Sequence, residues 1–253
     1  MYKKVIDERV RTGKLPWDGA HPPRTSALPY VLLTYMGKTR YVMMLAHELG
    51  HGVHQVLSAK KGALMASTPL TLAETASVFG EMLTFQALLR QTTDPKKRKI
   101  LLASKVEDMI NTVVRQIAFY TFERKVHTAR KEGELTPDKI NEIWMSVHHE
   151  SLGDAIEFGP GYETYWTYIP HFIHSPFYVY AYAFGDCLVN SLYARYRESE
   201  AGFQEKYFAM LKAGGTKHHS ELLKPFGLDA TDPQFWQKGL SVISSLIDEL
   251  ETL

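Results

Sequence analysis

His47-Glu48-Leu49-Gly50-His51 places two imidazoles and a carboxylate within five consecutive residues. On a helix, residues i and i+4 lie one turn apart on the same face, so His47 and His51 can both reach one Zn²⁺ at about 2.0–2.1 Å. Glu48 then points to one side of the metal, where a carboxylate can hold and deprotonate the water bound there. The same five-residue pattern also arises by chance on helices, where two histidines are plain polar surface. The flanks weigh against that reading. Residues 41–46 are apolar, and Val53, Val56 and Leu57 continue an apolar stripe. A helix of this kind is expected to be largely buried. Two histidines and a glutamate inside it would be costly without a partner that satisfies them, and a metal ion is such a partner.

A catalytic zinc takes three protein ligands and keeps one position open. The extended pattern HExxHxxGxxH fails here, because Leu57 stands where its third histidine would be. His54, three residues after His51, is awkwardly placed for the same metal and reads as a supporting polar group. The third ligand is therefore expected to be a carboxylate on a later helix. Glu74 and Glu81 are the candidates, seven residues apart and so on one face of an otherwise apolar stretch. One could bind the metal while the other orients a histidine. Spacing does not choose between them, and an exposed Glu81 without a role is also compatible with it.

A second unusual stretch is Tyr165-Trp-Thr-Tyr-Ile-Pro-His-Phe-Ile-His-Ser-Pro-Phe-Tyr-Val-Tyr-Ala-Tyr-Ala-Phe-Gly185. Most of its rings read as a buried aromatic cluster. Tyr178, Tyr180 and Tyr182 alternate, with His171 and His174 just upstream, and Tyr and His are also suitable neutral donors to the oxyanion formed when a peptide carbonyl is attacked. The preceding loop, Phe158-Gly159-Pro160-Gly161-Tyr162, is expected to move over a bound peptide. Hydrogen exchange there that does not slow with a peptide inhibitor would count against such gating. The pairs His148-His149 and His218-His219 read as surface, and His21 and His127 belong to no motif.

These groups need a scaffold, and the sequence predicts a mainly α one. Residues 1–13 read as the end of a helix stopped by Gly13, and the proline-bearing residues 14–26 as an extended loop. Residues 29–36 form the one convincing strand, rich in β-branched and aromatic residues, and suited to align a substrate backbone by strand addition. The metal helix follows. A helix capped at Ser67 or Thr71 spans residues 72–89. Asp94-Pro95 opens a long one to about Lys131, with Ile110, Val113, Val114, Ile117, Phe119, Phe122 and Val126 as its core stripe. Further helices run from Asp138, from Phe177 and after Asp232-Pro233. The chain of 253 residues has room for one large or two small domains. Its net charge of +1, without a long basic run, suggests neither nucleic acid nor an anionic membrane as partner. A single cysteine, Cys187, excludes an internal disulfide and favours a reducing compartment. The start lacks the apolar segment of a signal peptide, and no apolar run is long enough to span a bilayer, so a cytoplasmic protein is expected.

His-Glu-Leu-Gly-His-Gly-Val-His (47–54), followed by Leu-Ala-Glu-Thr-Ala-Ser-Val-Phe-Gly-Glu (72–81), resembles the thimet oligopeptidase family of zinc peptidases (peptidase family M3), most closely its oligoendopeptidase F branch. The resemblance implies a zincin-like catalytic domain over residues 1–253, with a small β element before the HExxH helix. The family's Glu-x-x-Ser frame maps onto Glu74. The implied ligands of one Zn²⁺ are thus His47, His51 and Glu74, with Glu48 as general base and Glu81 outside the coordination sphere. In the family, a His and Tyr residues face zinc from across the cleft. Tyr180 is the best match for the transition-state tyrosine, Tyr178 and His171 come next, and His174 matches less well. The implied activity is endopeptidase action on short unstructured peptides. Family members are longer, with a helical N-terminal half that this sequence lacks. The expectation is therefore a fragment, a domain completed by another chain, or a short member, with an apolar surface that favours self-association or a partner. Two alternatives are kept: removal of C-terminal di- or tripeptides, as by a peptidyl-dipeptidase, and a non-catalytic zinc-binding fragment that needs a partner chain.

Overall fold

A computed structural model describes residues 5–14, 19–21, 25–198 and 201–253. The described chain is mainly α, as expected. It divides into two compact units, one made of Met1–Val106 with Gly185–Leu253 and the other of Glu107–Phe184.

The first unit opens with a small sheet. Strands β1 (Ile6–Asp7), β2 (Gly19–His21) and β3 (Tyr30–Leu32) lie in the order β1-β3-β2. β1 runs parallel to β3, with Ile6 opposite Val31. β2 is antiparallel to it, with Ala20 opposite Val31. Three expectations change here. Within residues 5–13 the chain forms a two-residue strand, Ile6–Asp7, rather than a helix end, anchored by Lys14 Nζ, which donates to Asp7 O at 2.9 Å and Leu33 O at 2.7 Å. The loop over residues 14–26 contains β2, while Pro16, Pro22 and Pro23 lie outside the described residues. β3 is shorter than residues 29–36 and has both edges paired, so a peptide cannot add to it at Tyr30–Leu32.

Helix α1 (Thr39–Ser58) carries the two histidines, and α2 (Thr75–Gln91) crosses it at backbone contact. A Cβ on Gly50 would lie 2.4 Å from Ala76 O and 2.6 Å from Ser77 Cα, and one on Gly80 would lie 3.2 Å from Ala46 O. This close approach decides which face of α1 is covered. Glu48, Gly52, His54 and Ser58 are buried, whereas Leu49, Val53 and Val56 are 40%, 50% and 46% exposed. Val53 and Val56 of the expected apolar stripe thus lie on the uncovered side, because a glycine face packs closer than branched side chains permit, while residues 41–46 and Leu57 are half-buried.

α2 begins three residues later than expected, after a 3₁₀ turn at Leu70–Leu72. Neither Ser67 nor Thr71 caps it; Glu74 occupies the N-cap position without making a side-chain cap. α3 (Pro95–Ile110) has the predicted cap, Asp94 Oδ1 accepting from Lys96 N at 2.9 Å. After the second unit, α7 (Tyr180–Arg197) starts later than Phe177, and its Tyr193 and Tyr196 pack around Phe79 with Phe203 and Tyr207 of α8 (Phe203–Leu211). α9 (His219–Leu223) and α10 (Pro233–Glu251) complete the unit, the latter capped by Asp232 as expected.

The second unit is built on α4 (Gln116–Ala129), α5 (Pro137–Leu152), a 3₁₀ segment at Tyr162–Tyr168 and the short α6 (His171–His174). Trp144 is fully buried at its centre among Phe119, Phe122, Val147 and Ile169. A π turn at Asn111–Arg115 interrupts the expected long helix. Its wider turn shifts the helical phase, and Ile117, predicted as core, is 45% exposed. His148 corrects the surface reading of its pair. It is fully buried against Trp144, with a ring separation of 3.9 Å, and its Nδ1–H donates to Trp144 O at 2.9 Å. No described helix is long and apolar enough to cross a membrane.

Candidate metal centre

The two histidines of α1 point to one spot, with ring centroids 4.9 Å apart. Glu74 reaches the same spot from the N-cap of α2, its Oε2 lying 3.4 Å from His47 Nε2 and 3.3 Å from His51 Nε2. One ligand atom from each of the three residues falls within 4.8 Å of the others, and theirs is the one such His/Cys/Asp/Glu group among the described residues. A four-coordinate site with bonds of about 2.1 Å has edges of about 3.4 Å. The two His–Glu74 separations fit that figure, and two imidazoles with one carboxylate are a donor set suited to a divalent transition-metal ion. The cluster therefore fits a metal.

Its surroundings hold each donor in place. Ser77, fully buried one turn into α2, donates from Oγ to Glu74 Oε2 at 2.7 Å and to Glu74 O at 3.1 Å. Gly185 leaves room for Glu74, since a Cβ there would lie 2.9 Å from Glu74 Cβ. Burial works against charge on Glu74, but His51, His47 and Ser77 outweigh it and bring its carboxyl down to about 2. Glu81, two turns further along α2, accepts from His47 Nδ1 at 3.3 Å and from Lys105 Nζ at 2.6 Å. Burial would raise Glu81, yet His47 and Lys105 keep it below the usual carboxylate range. Burial likewise opposes protonation of His47, whose net shift is upward because Glu81, Glu74 and Glu48 surround it. His54 lies outside the cluster. It is buried beside Thr68, whose Oγ1 is 3.3 Å from His54 Nε2, and burial brings it down to about 4. Glu48 is buried on α1, next to His47 in the chain.

The other expected residues belong to the second unit. His171 Nε2 lies 3.2 Å from Tyr182 Oη, and the Tyr178 ring is 5.5 Å from His171 and 5.3 Å from Tyr182. Tyr180 is not part of this trio; it packs edge-on against Tyr120 at 5.6 Å. Tyr178, just before α7, and Tyr182, in its first turn, thus both contact His171, whereas Tyr180 packs on Tyr120 instead. His174 is exposed at the end of α6. In the loop before, Phe158 stacks on Tyr162 at 4.8 Å. The backbone between α6 and α7 is strained at Phe177, the one non-glycine residue with positive φ (60°) among those described. Its N–H donates to Glu123 Oε1 at 2.7 Å, and Glu123 is itself buried.

Lys105 and Glu123 were not anticipated, whereas Ser77 is the serine of the Glu-x-x-Ser frame that marked Glu74. A signal for Lys105 exists, since it falls between Leu102 and Met109 on the buried face of α3, where a lysine needs a partner. Glu123 carries no comparable signal, because an ordinary helix position accepts a glutamate.

The family model described as Peptidase family M3 matches residues 7–242, and the chain belongs to that family. The chain is 30% identical over 227 residues to Oligopeptidase PepF of Bacillus subtilis, covering 89% of this chain and 34% of that protein. It is 31% identical over 255 residues to an Oligoendopeptidase F homolog of Borreliella burgdorferi, covering 99% and 43%. The crystal structure of oligoendopeptidase-F from Enterococcus faecium superposes with a TM-score of 0.72 at 28% identity, over 84% of this chain and 39% of that one. The chain thus spans less than half the length of these relatives. The resemblance drawn from residues 47–54 and 72–81 is met at the level of the family.

Proposed function

We propose that this chain carries the metal site of a zinc-dependent endopeptidase acting on short unstructured peptides. The observation that carries this reading is the convergence of His47 Nε2, His51 Nε2 and Glu74 Oε2. The names of the relatives, oligopeptidase and oligoendopeptidase F, support the substrate class.

His47, His51 and Glu74 would hold one Zn²⁺. Bound zinc supplies Lewis-acid activation of water and of the scissile carbonyl. Glu48 positions the attacking water and takes its proton on a carboxylate oxygen. It then delivers that proton to the amide nitrogen as the C–N bond breaks, so that the products are a carboxylic acid and an amine. The Tyr180 hydroxyl donates to the developing oxyanion, or, since Tyr180 faces away from them, Tyr178 or His171 does so in its place. Burial holds His171 below its ordinary value, so at neutral pH it acts as a neutral donor.

The test is cleavage of a quenched fluorescent peptide by the chain loaded with one zinc equivalent, beside Glu48→Gln and a chelated sample. Cleavage that disappears in both controls is expected. Zinc that binds stoichiometrically and is lost in His47→Ala, without cleavage, would sink the catalytic claim for the isolated chain. It would favour a second reading, a zinc-binding part that works only with a further polypeptide. The exposed Leu49, Val53 and Val56 beside the site favour that reading. Sedimentation of the chain would detect self-association through the same face.

A further inference from the structure

The two nitrogens of His47 meet different carboxylates. Nε2 belongs to the ligand cluster, 3.4 Å from Glu74, while Nδ1 is 3.3 Å from Glu81 Oε2. An ionised carboxylate only accepts, so the ring proton belongs on Nδ1 and the Nε2 lone pair is left for a metal. This arrangement depends on how the Glu81 carboxylate is turned. Its other oxygen, Oε1, is taken by Lys105 Nζ at 2.6 Å. Lys105 comes from a third helix, α3, and its side chain is 5% exposed, that of Glu81 14%.

Packing alone does not call for a lysine here, since an apolar residue of similar length fills such a position at no greater cost. The distinctive property of the ammonium is that it fixes one carboxylate oxygen, and with it the direction of the other. We propose that Lys105 is a positioning residue for the metal centre: it anchors Glu81, which in turn orients His47, and so sets the metal affinity of a cluster it does not touch. The inference rests on the reading of His47, His51 and Glu74 as a zinc site.

Zinc affinity, measured by competition with a chromophoric chelator, tests it without recourse to activity. Lys105→Met is expected to weaken zinc about 10–100-fold, the range for loss of a group that orients a metal-bound histidine. Because Lys105 acts through Glu81, adding Lys105→Met to Glu81→Leu should change affinity by less than about twofold, whereas independent roles would multiply. A lysine of purely structural importance would lower the thermal stability of chelator-treated protein and leave zinc affinity alone. If Lys105→Met does not fold, the comparison of the double variant with Glu81→Leu decides by itself: unchanged affinity supports the relay, and a further tenfold loss overturns it. Wild-type affinity in Lys105→Met overturns the inference and leaves the zinc reading standing. A wild-type chain that takes up no zinc overturns both.

Discussion

The two units hold their candidate groups by different means. In the first, donors come from packed helices and are joined by charge: His47 and His51 from α1, Glu74 and Glu81 from α2, Lys105 from α3. Backbone contact at Gly50 sets the distance between α1 and α2. In the second, His171, Tyr178 and Tyr182 are placed mainly by ring packing, close to a strained residue whose N–H is held by Glu123. The contrast fits the two tasks proposed for these groups. Metal ligands must be aligned before the ion arrives, so their supports are rigid and numerous. A donor to a transient oxyanion needs only a hydroxyl or imidazole presented at the right moment, and rings around it can set its direction.

If close helix contact governs the first unit, Gly50→Ala should have the largest effect. Its Cβ would meet backbone atoms that have no flexible end to move, at a cost of about 3 kcal/mol. Thermal unfolding should show that loss, and stoichiometric zinc uptake should disappear. Normal zinc uptake in Gly50→Ala would break the claim that this contact aligns the ligands. Next in size, Tyr180→Phe should reduce kcat by about 10²–10³ while leaving zinc affinity unchanged. A variant that lost zinc would blur the division between the two regions.

A pH titration of stability separates burial from pairing. Burial, with His51 nearby, brings His54 from 6.5 to about 4, so between those values the unfolded chain binds a proton that the folded one refuses. Stability should therefore decrease as pH falls from 6.5 towards 4, by on the order of 3 kcal/mol, and His54 should contribute no slope above 6.5. His54→Gln should flatten that part of the curve, and an unaltered slope would remove His54 as its cause. The smallest effect concerns Glu123. Glu123→Ala leaves the Phe177 N–H without its acceptor and should cost about 1–3 kcal/mol. Glu123→Gln keeps an acceptor, and because burial raises the pKa of Glu123, the uncharged amide should match or exceed wild-type stability at pH 7. Equal melting temperatures for the Ala and Gln variants would show that the clamp is not a source of stability.

Much of the first unit's site could be read directly. Spacing alone puts His47 and His51 on one face of α1, because the helical period is local, and the caps at Asp94 and Asp232 are likewise properties of a few adjacent residues. Spacing could not separate Glu74 from Glu81. The structure separates them through the late start of α2, which places Glu74 at the N-cap facing both histidines and leaves Glu81 to His47 and Lys105. The burial of His148, the exposure of Val53 and Val56, and the pairing of both β3 edges were also decided by tertiary contacts. Each depends on what lies opposite in space, and a local pattern carries no record of that. The sequence by itself thus determined the chemistry available and the family. Only the tertiary structure decided which carboxylate joins the histidines, and which lysine stands behind them.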